Sequence, residues 1–211
     1  MMLGGNFVYK CPTCGNLIQR GSIMSGNSFG AKVYSDGKVI ARMLKEFPEL
    51  TQCKKCENFF WISKSEEVGS FRRYGSGNAE WENADKAEFL TIGQYVAALK
   101  GGVAQNSDDE MYIRQNILWA FNDRLRKDKP LFESLEDEAI WNSNLDRLLE
   151  LLDITELNDM IMMAEIYRSK GDFKQCMSII DSIHDPQYHG LKAAFAGECA
   201  AQNCKLFQLN Q

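Results

Sequence analysis

Beyond about residue 85, apolar side chains recur every three or four positions, the spacing of one face of an α-helix. Six helices are predicted from this pattern. Phe89, Ile92, Gly93 and Val96 mark the first, over about 85–99. Ile113, Ile117, Leu118, Phe121 and Leu125 mark the second, opened by Ser107 and Glu110 as a capping box and closed by Pro130. The third runs from about 134 to 152 with Leu145, Leu148, Leu149 and Leu152 on one face. The fourth carries Leu157, Met160, Ile161, Ala164 and Tyr167 and stops at Gly171, a residue suited to a left-handed C-terminal turn. The fifth starts at Asp172, with Gln175 completing a cap, and the sixth spans about 190–209.

Before residue 75 the apolar runs are short and strand-like. Phe7-Val8-Tyr9 is one, and Phe59-Phe60-Trp61-Ile62 is another that reads as buried. Residues 31–34 and 38–41 flank Ser35-Asp36-Gly37, and Asp-Gly between two strand-like runs is a strong hairpin signal. The Gly/Ser/Asn-rich stretch 21–30 reads as a mobile loop. Residues 75–84 are small and polar and separate the two patterns, as a linker does. The expected fold class is therefore α+β in two domains: a small β-rich module over 1–75, a linker over 76–84, and an all-α domain over 85–211.

Composition places the chain among soluble globular proteins, with 45% hydrophobic and 25% charged residues in 211. Charge is divided unevenly. Residues 1–75 hold 11 Lys+Arg against 6 Asp+Glu, and residues 76–211 hold 13 against 23. The acidic remainder argues against non-specific nucleic-acid binding by the whole chain, while the basic segment permits anion contact. No apolar run approaches the roughly 20 residues that span a bilayer, and the first residues lack the charged and apolar blocks of a signal peptide. Seven cysteines, four of them in metal-type spacing, fit a reducing compartment better than a disulfide framework, so the expected location is cytoplasmic, with no membrane partner.

Those four cysteines are the strongest chemical signal. Cys11-Pro12-Thr13-Cys14-Gly15 and Cys53-Lys54-Lys55-Cys56 are two CxxC pairs within 46 residues. Two turns that each present two thiolates can enclose one Zn²⁺ tetrahedrally, with Zn–S near ~2.3 Å. Pro12 and Gly15 suit a tight knuckle, because Pro fixes φ and Gly accepts a positive one. A closed four-sulfur shell leaves no position for water or substrate, which speaks against zinc hydrolysis. The two pairs resemble a zinc ribbon, or more broadly a rubredoxin-like fold, over about residues 7–64. The resemblance implies Cys11, Cys14, Cys53 and Cys56 as ligands of one structural Zn²⁺, with iron the less favoured metal. Two departures stand out: 38 residues separate the pairs, implying an inserted hairpin, and Glu57 follows the second pair where glycine is usual, implying a less regular knuckle.

In the helical part, Ala164, Tyr167, Gly171, Asp172 and Phe173 resemble the centre of a tetratricopeptide repeat, over about 157–184. The resemblance implies that Ala164 admits a neighbouring helix, Tyr167 fills the groove, Gly171 makes the turn, and Cys176 and Ile180 face inward from the second helix. A single repeat is a weak signal, since three or more normally stack. His184 and His189 are the chain's two histidines and fall in the turn between the last helices, where a solvent-exposed role is expected. Trp119 and Phe121 cannot face the same way on one helix, and Asp123 and Arg126 are spaced to pair locally.

Together these features predict a non-enzymatic zinc-binding scaffold with a protein or peptide partner. A second reading is nucleic-acid binding through Lys54, Lys55, Lys64, Arg72 and Arg73 beside Phe59, Phe60, Trp61, Phe71 and Tyr74, a mixture that suits phosphates and bases. A third is a rubredoxin-like iron electron carrier. No Ser/His/Asp grouping, phosphate loop or paired-carboxylate motif points to catalysis.

Overall fold

The computed structural model describes residues 1–72 and 78–209. In chain order the strands and helices are β1 (Met2–Lys10), β2 (Leu17–Ser25), β3 (Lys32–Tyr34), β4 (Val39–Ile40), β5 (Leu50–Gln52), β6 (Phe59–Trp61), β7 (Glu67–Phe71), α1 (Ala79–Glu82), β8 (Asp85–Lys86), α2 (Ile92–Lys100), α3 (Ser107–Leu125), α4 (Leu135–Leu151), α5 (Leu157–Ser169), α6 (Phe173–Ser182), α7 (His189–Ala200) and β9 (Gln208–Leu209). The fold is mixed, with a β-rich N-terminal region followed by a helical one. Two compact units divide it: Met1–Ala31 with Ala41–Val103, and Lys32–Ile40 with Ala104–Gln211.

The first unit is built on a four-stranded sheet in the order β7-β1-β2-β8, beside the two-stranded β5-β6 ladder. The antiparallel β1–β2 pair extends from Lys10↔Leu17 out to Met2↔Ser25, so residues 21–25 of the expected mobile loop are strand. Backbone pairing along β1 overrides their Gly/Ser composition. Gly21 is needed there, because a Cβ would lie 2.4 Å from the Phe47 ring. Residues 78–84 of the expected linker are also part of this unit. Asn78 caps α1 by accepting from the Glu80 and Trp81 N–H groups, and the Trp81 ring lies against the bare backbone of Gly69. The rest of the linker, 75–77, lies outside the described residues. Helix α2 opens with a complete capping box between Thr91 and Gln94, and its unit ends at Val103, whose carbonyl accepts from Trp61 Nε1 at 3.0 Å.

The second unit is two helical hairpins, α3–α4 and α5–α6, followed by α7. Phe121 on α3 meets Trp141 on α4 edge to face, with ring centroids 5.5 Å apart, and Phe132 from the connecting turn joins them. The cap of α3 is Asn106, which accepts from Asp109 N–H, one residue earlier than the sequence pattern implied. Glu110 is thereby free for a different task. It bonds Arg114 on its own helix and Arg147 on α4, tying the hairpin together. The Arg147 contact, then Arg114, outweighs desolvation and holds the Glu110 carboxyl down to about 2. Stability from this group is full above its ordinary value of 4.5 and is lost as pH falls towards 2.

The turn from α5 to α6 closes at Gly171, with φ of 81°, where Gly171 N–H returns to Arg168 O and Asp172 N–H to Tyr167 O. Asp172 then caps α6 through Gln175 N–H. Helix α7 stops at Ala200 instead of running to 209. Gln202 takes a left-handed φ of 51°, and the chain turns into β9, which pairs with β3. Backbone hydrogen bonding to a distant strand sets this end, which no local periodicity encodes.

The β3–β4 hairpin belongs to the helical unit, and its tip carries buried charge. Asp36 is wholly buried and receives Asn122 Nδ2 at 2.9 Å and Arg126 Nη2 at 2.6 Å on Oδ1. Trp119 Nε1 donates to the Asp36 carbonyl at 3.0 Å, so Trp119 faces the hairpin while Phe121 faces α4. Arg126 also reaches Asp123 at 2.8 Å and stacks on Tyr34. Next to Asp36, the Ser35 hydroxyl donates to Glu165 Oε1 at 2.9 Å, and Glu165 pairs with Arg168, both side chains being buried. Burial pushes the Glu165 carboxyl up against the opposing pull of Arg168.

Removing one partner of a buried pair leaves the other charge uncompensated, at a cost of about 3–5 kcal/mol, whereas exposed pairs contribute about 1 kcal/mol or less. Asp36→Ala is therefore expected to lower unfolding stability by about 3 kcal/mol or more. Lys10→Ala, which breaks a pair exposed on both sides, is expected to change it by less than about 1 kcal/mol. Urea denaturation of the two variants checks the contrast.

Candidate metal centre

Each cysteine pair sits in the turn of a β-hairpin, the first between β1 and β2 and the second between β5 and β6. The two turns repeat one hydrogen-bond pattern. Cys11 N–H donates to Asn16 O at 2.8 Å and Gly15 N–H to Cys11 O at 2.9 Å; Cys53 N–H donates to Asn58 O at 2.9 Å and Glu57 N–H to Cys53 O at 2.8 Å. Gly15 has φ of 71° and Glu57 has φ of 60°. The second knuckle is thus as regular as the first, contrary to expectation, and Glu57 accepts the left-handed backbone that glycine takes in its counterpart. The sequence carried a sign of this equivalence in Cys11-Pro12-Thr13-Cys14-Gly15-Asn16 and Cys53-Lys54-Lys55-Cys56-Glu57-Asn58, where an asparagine stands two residues after each second cysteine.

The hairpins bring all four Sγ atoms within 4.8 Å of one another. Cys11 and Cys56 are 3.6 Å apart, as are Cys14 and Cys53. A tetrahedral ion with metal–sulfur bonds of ~2.3 Å needs sulfurs roughly 3.8 Å apart, so the group fits one such ion. Cys11 and Cys53 are buried, while Cys14 and Cys56 are half-buried. Ile18, Phe60 and Ile62 pack around the inner sulfurs, with Tyr9 and Ala87 at the margin. That apolar wall keeps water from one side of the group and raises the strength of any charge interaction there.

Backbone N–H groups also face the sulfurs. A hydrogen bond from Asn58 is the largest influence on Cys56 and, with its thiol neighbours, holds it down to about 7 against burial. Asn58 Nδ2 lies 3.7 Å from the same sulfur. Cys14 receives the matching bond from Asn16, but burial and the other three thiols outweigh it and push Cys14 up to about 12. A set in which one thiol ionises readily and another resists is what four acidic groups sharing one small volume produce. A divalent cation removes the conflict by favouring the thiolate at every position.

Comparison with known protein families, curated proteins and solved structures gave no match. The chemistry therefore rests on the residues themselves.

The other residues singled out by sequence are placed differently. Ala164, Cys176 and Ile180 are buried in one apolar cluster, with Tyr167 packed against it, and Gly171 makes the turn beside them. Cys199 joins that cluster, its sulfur 3.6 Å from Cys176. His184 and His189 are exposed and belong to no metal-type group among the described residues. Lys54 pairs with Glu88 at 3.0 Å, Lys64 lies over the Trp61 ring, and Lys55 and Arg72 are exposed. Phe60 and Trp61 are buried, so neither offers a free face for a base. Arg73 and Tyr74 lie outside the described residues.

The two knuckles differ at one position, which gives a paired test. A side chain in the left-handed region costs about 1 kcal/mol. Gly15→Ala is expected to lower the stability of the metal-loaded protein by about that amount, and Glu57→Gly to leave it unchanged or raise it by up to about 1 kcal/mol. Thermal unfolding of both variants reads the opposite signs.

Proposed function

We propose that this protein is a non-enzymatic zinc-binding scaffold whose zinc-stabilised module and helical unit serve interaction with another protein. The observation that carries the reading is the convergence of Cys11, Cys14, Cys53 and Cys56 into a group of tetrahedral size on two equivalent knuckles. Four thiolates complete the coordination shell of Zn²⁺ and leave no open position, so the metal's contribution is to hold β1–β2 against β5–β6. Iron in the same ligands would make the protein an electron carrier, which is the competing assignment.

Support for a protein partner comes from the end of the β1–β2 hairpin remote from the cysteines. Met1, Met2, Leu3, Met24 and Leu44 are 40–62% exposed there. Met1 and Gly26 are both close to Met43, which joins these residues into one surface. Flexible methionines on an exposed apolar surface adapt to an apolar partner. The paired helices α3–α4 and α5–α6 support the repeat-like part of the reading, with α7 packed into the apolar cluster of α5 and α6.

Elemental analysis of the purified protein is expected to give one zinc per chain and no visible colour; iron with visible charge-transfer bands would favour electron transfer instead. In quantitative affinity capture, Met2→Glu with Met24→Glu is expected to lose the partner retained by the wild type, at unchanged zinc content. An identical set of captured proteins would contradict the placement of the surface.

A further inference from the structure

The helical unit encloses a cavity of about 450 Å³ between α3, α4, α5, α7 and strands β3 and β9. Well-packed interiors hold few voids larger than a water molecule, and this volume lies in the range of small-molecule sites, roughly 300–1,000 Å³. Most of the wall is apolar, with Met111, Leu152, Ile161, Met162 and Leu191 among the lining residues. Leu148 and Met162 anchor it to the packed interior, where both are buried.

Polar side chains interrupt the wall: Gln115, Asn158 and Asp159 on the helices, and Tyr34 and Ser35 on the hairpin, where the Ser35 hydroxyl is already bonded to Glu165. Asp159 is the one acidic or basic side chain among the described lining residues. Its Oδ2 accepts the Asp153 N–H at 2.9 Å, and no ion pair to it is present among the described residues. The carboxylate therefore keeps an oxygen for a ligand and has no cation of its own. Its surroundings reinforce the sign: residues 32–40 and 104–211 carry 13 Lys+Arg against 20 Asp+Glu. A cavity with one charge and low-dielectric walls focuses that charge on whatever enters. Asn158 is exposed and marks where the cavity meets solvent.

We propose that this cavity binds a small apolar molecule bearing an amine, with its ammonium on Asp159 and its body among Met111, Ile161, Met162 and Leu191. None of its lining residues is one of the four cysteines. Amide oxygens of Gln115 and Asn158 supply further acceptors for the ammonium hydrogens. An anionic molecule of the same shape is disfavoured by Asp159, and a neutral one keeps only the apolar contacts.

The test uses the full chain and three probes that share one apolar body: 4-phenylbutylamine, 4-phenylbutan-1-ol and 4-phenylbutanoate. Calorimetric titration is expected to rank them amine, alcohol, carboxylate, with the amine roughly tenfold tighter than the alcohol, as a charge-assisted hydrogen bond provides. Asp159→Asn is expected to bring the amine to the level of the alcohol and leave the alcohol unchanged. Leu191→Trp, which narrows the apolar part of the cavity and keeps the carboxylate, is expected to weaken the amine and the alcohol alike. Equal affinity for all three probes, no binding of the amine at millimolar concentration, or an amine affinity unchanged in both variants would overturn the proposal.

Discussion

Four cysteine sulfurs drawn into one small volume are the constraint on which the β-rich unit depends. They come from two hairpins that are distant in sequence. The apolar cluster between them, Ile18, Phe60 and Ile62 with the inner sulfurs, is small. Such a core offers little against the conformational entropy of ordering the chain. A cation bound by all four thiolates would supply the missing energy and turn a weak junction into a fixed one. The repeated hydrogen bonds of the two knuckles aim the sulfurs before any ion arrives, which reduces the rearrangement that binding requires.

The helical unit solves a different problem. Its core admits charge, because the β3–β4 hairpin delivers Asp36 to Arg126 and Ser35 to Glu165, which is held by Arg168. Buried ionic contacts of this kind give little net stability, yet each is costly to break, so they specify where the hairpin must sit. The hairpin in turn provides β3 for β9, and Val33, Tyr34, Ser35 and Leu209 line the cavity. One short excursion of the N-terminal chain thereby completes the helical unit and shapes its interior.

Local pattern made much of this legible. The CxxC spacing identified the four cysteines that converge, because two intervening residues let both sulfurs of a turn face one point. The helices from α3 to α6 followed the 3.6-residue period, while the first, expected over 85–99, starts only at Ile92 after the short strand β8; Asp36-Gly37 marked the hairpin. What escaped was set by contacts between distant residues. Residues 21–25 looked like a loop until β1 paired with them. The end of α7 and the strand β9 depend on β3, some 170 positions away in sequence. Asn106 took the cap expected at Ser107, and Glu110 bonds Arg147 on the next helix, a partner no local pattern shows. Glu57 looked like a defect, and the second knuckle holds it in the left-handed region regardless. Nothing local showed that Ser35 and Asp36 of the hairpin turn would be buried, since polar turn residues normally face water.

Hydrogen exchange on the protein before and after metal removal tests the central claim most directly. The account predicts that stripping the metal abolishes slow exchange in β1, β2, β5 and β6 while α3 to α6 keep theirs, because the four thiolates hold one unit and buried ion pairs the other. Undiminished protection of the two cysteine hairpins in metal-free protein would contradict it.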